Sequence, residues 1–335
     1  MKRTFVIAEA GANHDKDLDQ ALQLVDIASI SGADAVKFQT YSSETLYSKY
    51  TPNFGQYENI PDLIKSIELP REWQKTIKEY CDENAIEFMS TPFDERAVDE
   101  LMDIGVRRFK IAGFESSDPR LVKYIAKTKL PIIFSAGIGS TIERVRRTVD
   151  WILEENSDCD ITILHCNNAY PTPIYEINLQ TIPKYIKEFP NCSVGLSDHT
   201  MSSLIPALGV AMGAKTIEKH FTLSRKLEGP DHPFAMESFE LNEMVFYIRQ
   251  ADVATAGERT ENITNSETEF VKAMRSVVAK TPIKKGDVFT EDNITTKRPM
   301  LDDSIPASSY YEMIGKTASE DIEEDEILTT SKVNV

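Results

Sequence analysis

No apolar run in the chain approaches the roughly 18 residues needed to cross a bilayer, so nothing reads as a membrane span. The opening Met1-Lys2-Arg3-Thr4-Phe5-Val6-Ile7-Ala8-Glu9 runs straight into a strand-like pattern. It has no apolar h-region and no small-residue cleavage site, and no signal peptide is expected. Cysteine is scarce: Cys81, Cys159, Cys166 and Cys192 stand at wide, irregular spacing, which fits neither a disulfide framework nor a zinc site. A cytoplasmic protein is the expectation. Positive charge is in deficit, with 37 Lys and Arg against 54 Asp and Glu, a net charge of −17. Such a surface repels nucleic acid and anionic membranes, and an anionic substrate would need a local basic pocket. No G-x-G-x-x-G follows the first strand, which weighs against a dinucleotide-binding sheet.

What the chain does have is alternation. A length of 335 residues suggests one large domain and a smaller one. Eight short runs are too apolar for a one-sided sheet and read as buried parallel strands: Thr4–Gly11, Asp34–Tyr41, Glu87–Asp94, Arg108–Ser116, Pro131–Ile138, Ile161–Asn168, Ser193–Thr200 and Thr216–Leu223. Helical patterns such as Leu18–Ser31, Arg71–Asn84, Glu95–Ile104, Pro119–Lys129, Ile142–Glu155 and Leu204–Met212 lie between them. Gly32, Gly105 and Gly213 each fall after a helix and before a strand, where a left-handed residue ends a helix. The fold class is therefore α/β, with residues 1–257 forming a (β/α)₈ TIM barrel; a doubly wound open sheet is the alternative. The stretch 41–70 is long for a βα loop and reads as a flap over the barrel mouth or a surface insertion. Residues 258–275 read as a polar linker, and 276–335 as a small β-rich domain that needs packing against the barrel or a second subunit.

Active sites of such barrels use the C-terminal ends of the strands. There the sequence puts Glu9, Asn13 and His14; Lys37 and Gln39; Ser90 and Thr91; Lys110 and Glu115; Ser135; His165, Asn167, Asn168 and Tyr170; Ser197, Asp198 and His199; and Glu218, Lys219 and His220. His199 and His220 end adjacent strands at comparable depth, and two neutral imidazoles there can hold a divalent ion with open positions for water and substrate. Open coordination suits Mn²⁺- or Mg²⁺-type work better than a closed zinc site. Lys37 and Lys110 form the local basic pocket for a phosphate and a carboxylate; the alternative is internal pairing with Glu9 or Glu115. Glu9 is a candidate general base or proton donor. Strand alternation is expected to point Cys166 away from the barrel interior, making it a core residue rather than a nucleophile.

These residues fall in motifs that resemble the sialic acid synthase family, which makes N-acetylneuraminate, legionaminate and pseudaminate. The motifs are Ile7-Ala8-Glu9-Ala10-Gly11-Ala12-Asn13-His14, Gly32-Ala33-Asp34-Ala35-Val36-Lys37-Phe38-Gln39-Thr40, Ser90-Thr91-Pro92-Phe93 and Phe109-Lys110-Ile111-Ala112. They continue with His165-Cys166-Asn167-Asn168-Ala169-Tyr170-Pro171-Thr172-Pro173, Gly195-Leu196-Ser197-Asp198-His199-Thr200, Glu218-Lys219-His220-Phe221-Thr222 and Gly229-Pro230-Asp231-His232. Residues 276–332, with Lys297-Arg298-Pro299, resemble the family's antifreeze-like SAF domain, a β-clip fold. The resemblance implies an enzyme that condenses phosphoenolpyruvate with a 2-acetamido-mannose-type aldehyde such as N-acetylmannosamine and releases phosphate. It implies His199 and His220 as ligands of Mn²⁺, with Mg²⁺ or Co²⁺ as alternatives. It implies Lys37, Thr91, Lys110, Ser135, Asn168 and Ser197 around phosphoenolpyruvate, and Gln39, Glu115, Tyr170 and Asp231 around the sugar. Glu9 falls near the reacting carbons, and Arg298 reaches the partner's sugar pocket in a domain-swapped homodimer. N-acetylneuraminate synthase is the first expectation, with legionaminate or pseudaminate synthase and a metal-dependent aldolase-type barrel as alternatives. Three departures bear on the sugar: Asn13-His14-Asp15-Lys16 for Asn-His-Asn-Gly, Gly113-Phe114-Glu115 for Ser-Gly-Glu, and Arg298-Pro299-Met300 for Arg-Pro-Gly.

Overall fold

Eight parallel strands, β1 (Phe5–Gly11), β2 (Ala35–Thr40), β3 (Glu87–Pro92), β4 (Phe109–Ile111), β5 (Ile132–Ala136), β6 (Ile161–Cys166), β7 (Ser193–Asp198) and β8 (Thr216–His220), make one sheet in the computed structural model. The structure describes residues 3–53, 58–259 and 262–334. Strand order is β3-β2-β1-β8-β7-β6-β5-β4, and β3 packs on β4 at the seam. Strand β1 pairs in parallel with both β2 and β8. That closure makes a barrel and rules out the open doubly wound sheet. All but the first strand stop earlier than the apolar runs do. The fourth ends at Ile111, and the chain turns at Gly113 into a 3₁₀ helix at Glu115–Ser117. The residues just past each strand therefore belong to the loops that form the barrel mouth.

The helices of residues 1–257 are α1 (Leu18–Ile30), α2 (Ser43–Leu46), α3 (Ile60–Ile67), α4 (Trp73–Glu83), α5 (Glu95–Asp103), α6 (Pro119–Ala126), α7 (Ile142–Glu155), α8 (Thr181–Glu188), α9 (Leu204–Ala211) and α10 (Ser238–Ala254). Helix α10 lies against α9. Short polar side chains start several of them: Asp17, Asp94, Asp118 and Thr141 each accept a first-turn backbone N–H. Gly32 and Gly105, at φ +78° each, supply the expected left-handed residue before the next strand.

Alternation along the strands builds two cores. Ile7, Ala35, Met89, Ile133 and Leu164 point inward and fill the barrel. Val6, Ala8, Val36, Phe38, Ile132 and Phe134, of opposite parity, face the helices. The inward layer is the floor on which the polar strand tips stand. The 41–70 stretch carries α2 and α3; residues 54–57 of it lie outside the described residues. It is tied down where Tyr41 Oη donates to Ile67 O (3.1 Å), and the Ser43 N–H donates to the Glu68 carboxylate (3.0 Å). Tyr41 lies within electrostatic reach of Asp231 and Tyr47 of Glu115, which puts the start of the stretch at the barrel mouth.

The chain divides into two compact units, Met1–Gly257 and Glu258–Val335. In the second, β9 (Ser276–Ala279) pairs antiparallel with β10 (Ile294–Lys297). Thr317–Ala318 pairs with Val333–Asn334. Val277, Ala279, Ile283, Phe289, Ile294 and Leu328 belong to its own small core. Within 258–275, read above as a linker, a 3₁₀ helix spans Thr268–Ala273, and Lys272 O accepts the Met300 N–H.

Candidate active site

Strand parity brings the chemistry to one place. Glu9, Lys37, Gln39, Thr91, Lys110, Ser135, Asn168, Tyr170, Ser197, His199 and His220 line a single cavity of about 50 Å³, together with Cys166, Phe114 and Glu218. Asp231 stands at its edge, 3.9 Å from His220 Nδ1, and accepts the Ala12 N–H at 3.1 Å. Glu115 follows the strand carrying Lys110. Its Oε2 is buried without a hydrogen-bond partner among the described residues, and burial pushes its carboxyl up to about 7. Arg298 belongs to the C-terminal unit, where it is exposed beside a cis bond to Pro299.

The two lysines are held by carboxylates. Lys37 Nζ lies 2.7 Å from Glu9 Oε2 and 3.7 Å from Glu218 Oε2, and donates to Thr91 Oγ1 at 2.9 Å. Lys110 Nζ lies 3.1 Å from Glu218 Oε1 and donates to Ser135 Oγ at 2.9 Å. Ser197 Oγ donates to Glu218 Oε1 at 2.9 Å, and Gln39 Nε2 to Glu9 Oε1 at 2.7 Å. The internal partner of Lys37 is thus Glu9, as one reading had it; that of Lys110 is Glu218 rather than Glu115. Burial raises the cost of every charge here. On Glu218 that cost is overcome by Lys110 and Lys37, which hold its carboxyl well below the usual range. For Glu9, burial wins over Lys37, with Glu218 adding to it, and its carboxyl rises to about 7. Burial opposes the Lys37 charge, but Glu218 and Glu9 more than offset it and its pKa is raised. Both carboxylates reach Lys37 and only Glu218 reaches Lys110, and Glu218 is the one the lysines hold in its charged form.

Above this network stand the two imidazoles, ring centroids 5.5 Å apart. Burial pushes His199 down to about 4 and His220 well below its ordinary value, so both are neutral near pH 7. His199 Nδ1–H donates to Asn167 O at 2.6 Å, which leaves the Nε2 lone pair free for a ligand. His220 Nδ1 is buried without a hydrogen-bond partner among the described residues. A Cβ on Gly11 would lie 3.2 Å from that nitrogen and 2.5 Å from Asp231 Oδ2, so the glycine keeps the space between them open. Two neutral nitrogens with coordination left for water and substrate fit an open divalent-ion site, and among the described residues no His, Cys, Asp or Glu converges with them as a third ligand. Tyr170 walls this side, its ring 4.2 Å from His199 and 5.2 Å from Phe234, and its Oη accepts from Asn168 Nδ2 at 3.2 Å.

Several strand-end residues go elsewhere. Leu164 fills the barrel, so Cys166, two residues on, points inward, and His165 points out. The expected orientation of Cys166 is thereby reversed. Burial still pushes its thiol up to about 11, so it is no thiolate nucleophile. His165 Nε2–H donates to Ile177 O at 2.6 Å and its ring meets Tyr185 edge-on. His232 Nε2–H donates to Asp15 (2.9 Å) while its Nδ1 accepts from Thr222 Oγ1 (2.6 Å), clamping the loop that carries Asp231. His14 Nδ1 accepts the Lys16 N–H at 3.1 Å. Glu218, which the sequence places at the end of the eighth strand, is the cavity residue that sequence reasoning left without a role. Its signal was available: it shares parity with His220.

Residues 24–260 match the model of the NeuB family, and residues 274–334 match the SAF domain. This chain belongs to the NeuB family. It is a synthase, a transferase-type enzyme. It is 37% identical over 337 residues to N,N'-diacetyllegionaminic acid synthase of Campylobacter jejuni, covering 98% of this chain and 99% of that protein. It is 36% identical to a pseudaminic acid synthase of the same species, over 98% of this chain and 96% of the relative. Among solved structures it resembles the N-acetylneuraminic acid synthetase of Leptospira borgpetersenii in complex with citrate: TM-score 0.72, 32% identity, 81% of this chain and 91% of that one.

Proposed function

We propose that this NeuB-family chain joins phosphoenolpyruvate to a 2-acetamido-sugar aldehyde and releases phosphate, making a sialic-type nonulosonic acid in the cytoplasm. The observation that carries this reading is the pair of strand-tip lysines, in an otherwise acidic protein, sharing one buried cavity with two neutral imidazoles. Lys37 and Lys110, helped by Thr91, Ser135, Asn168 and Ser197, bind the phosphate and carboxylate of phosphoenolpyruvate and fix its direction. Gln39, Glu115, Tyr170 and Asp231 receive the sugar. His199 and His220 hold the divalent ion, Mn²⁺ by preference, which when bound supplies Lewis-acid polarisation of the aldehyde. C3 of phosphoenolpyruvate bonds to the aldehyde carbon, water adds at C2, and the C2–O bond to phosphorus-bearing oxygen breaks as inorganic phosphate leaves. Glu9 has a carboxyl near 7 and a lysine at one oxygen, so it can hold or release a proton beside those carbons.

The finer expectation is N-acetylneuraminate; relatives at 36–37% identity carry pseudaminic and legionaminic names. Phosphate release with Mn²⁺ is measured against N-acetylmannosamine, its 2,4-diacetamido-6-deoxy relative and the pseudaminate precursor, with product mass as the second readout. Release that needs one sugar and stops with chelator is expected. Silence with all three from folded, Mn²⁺-loaded protein would overturn the reading. Arg298 completes the sugar pocket of the partner in a domain-swapped homodimer. Arg298→Ala therefore raises the sugar KM, and an unchanged KM counts against the swap.

A further inference from the structure

Directly behind the two imidazoles, on the other face of the same strands, lies a second buried charge cluster that touches no part of the cavity. Asp198 precedes His199 on β7 and Lys219 precedes His220 on β8. Both are buried, at 0% and 1% exposure. Lys219 Nζ donates to Asp198 Oδ2 at 2.6 Å and also to Thr200 O. Asp198 accepts the Thr200 N–H and the Thr200 hydroxyl, each at 3.0 Å. The β7–β8 ladder runs Leu196↔Ile217, Ser197↔Glu218, Asp198↔Lys219 and ends there. The ion pair is thus the last cross-link between the strands, one residue before each imidazole. Past it the two histidines are tied to different loops: the Thr172 N–H donates to His199 O and the Met236 N–H to His220 O.

A buried ion pair is seldom better for stability than well-packed apolar residues of the same volume, so its place here calls for a geometric reason. We infer that Asp198, Lys219 and Thr200 are positioning residues that fix the separation and direction of the His199 and His220 side chains, so that the two nitrogens meet one divalent ion. This rests on the two-histidine site proposed above. Lys219 spans the strands at the level where the imidazoles project. Asp198 and Thr200 bracket His199 within one turn of chain. Groups that orient metal-binding side chains without touching the metal typically change affinity by about 10–100-fold when altered.

The test titrates Mn²⁺ into metal-stripped full-length protein by calorimetry. The variants are the neutral pair Asp198→Asn/Lys219→Met and the charge-preserving Lys219→Arg, which retains a buried ion pair if the neutral pair does not fold. Wild type binds one Mn²⁺ per chain; both variants bind about tenfold or more weakly. Mn²⁺ affinity in a folded variant within twofold of wild type overturns the inference. A metal-free readout separates the two claims: ¹⁵N-imidazole spectra should show the His199 and His220 signals moving in Lys219→Arg while that of His14 stays. Unmoved His199 and His220 signals overturn the positioning role on their own. A wild type that binds no Mn²⁺, with the spectra responding as expected, overturns the metal assignment while the positioning of the imidazoles stands.

Discussion

On the inward face of β7 and β8, Ser197, Glu218 and two imidazoles meet Lys37 and Lys110 in a cavity; on the outward face, Asp198 and Lys219 meet each other and Thr200. The inward set is unevenly partnered. Glu9 and Glu218 both pair with the Lys37 ammonium, and His220 Nδ1 has no hydrogen-bond partner among the described residues. Outside, Asp198 accepts from Lys219 and twice from Thr200. Both faces hold buried charge, and burial alone does not mark a site. What distinguishes the inward face is bonding capacity that the fold does not use, which a ligand can take up.

The largest break between the faces should come from the imidazoles. His199→Ala or His220→Ala is expected to cut Mn²⁺-dependent phosphate release by about 10³-fold or more while the melting temperature stays within a few degrees. Full activity in either variant would sink the inward assignment. Next come the lysines, which should respond in opposite ways. Lys219→Met strands the Asp198 charge in the interior and should cost about 3–5 kcal/mol of stability in urea unfolding. Lys37→Met should cost less, because Glu9 can take up a proton near pH 7, yet lower kcat/KM for phosphoenolpyruvate by about 100-fold, or ~3 kcal/mol. Equal stability losses in the two would erase the contrast.

The smallest effect concerns pH. Burial lowers the pKa of His14, His165, His199 and His220 in the folded protein. The unfolded chain then binds more protons below the ordinary histidine value of about 6.5. The stability contributed by these neutral rings is fully present above that pH. It is lost as pH falls from about 6.5 toward 4, at up to ~1.4 kcal/mol per pH unit for each ring. His165→Gln, on the outward face, should remove its own share of that acid sensitivity and leave phosphate release unchanged. A melting-temperature profile from pH 7 to 4.5 identical to wild type would contradict it.

Much of this site is legible in the sequence because barrel strands are short and put their chemistry at one end. Lys37, Lys110, His199 and His220 could be placed from strand order and spacing. What failed was parity. Runs such as Ile161–Asn168 are apolar on both faces, so nothing local says which residues look inward, and Cys166 and His165 were exchanged. Glu218 was placed at a strand end without a role, because a glutamate between an isoleucine and a lysine has no signature until His220 fixes the phase. Helices α8 and α10 were missing from the sequence reading. The first is short, and the second exposes Phe239, Phe246 and Val253 while turning Arg249 toward Thr4 and Asp34, which blurs the apolar stripe.

The most direct measurement is anomalous scattering at the manganese edge from crystals grown with Mn²⁺ and phosphoenolpyruvate. The expected result is one peak between His199 and His220, with the phosphate and carboxylate on Lys37 and Lys110. A peak elsewhere, or phosphoenolpyruvate bound away from both lysines, would contradict the site assigned here.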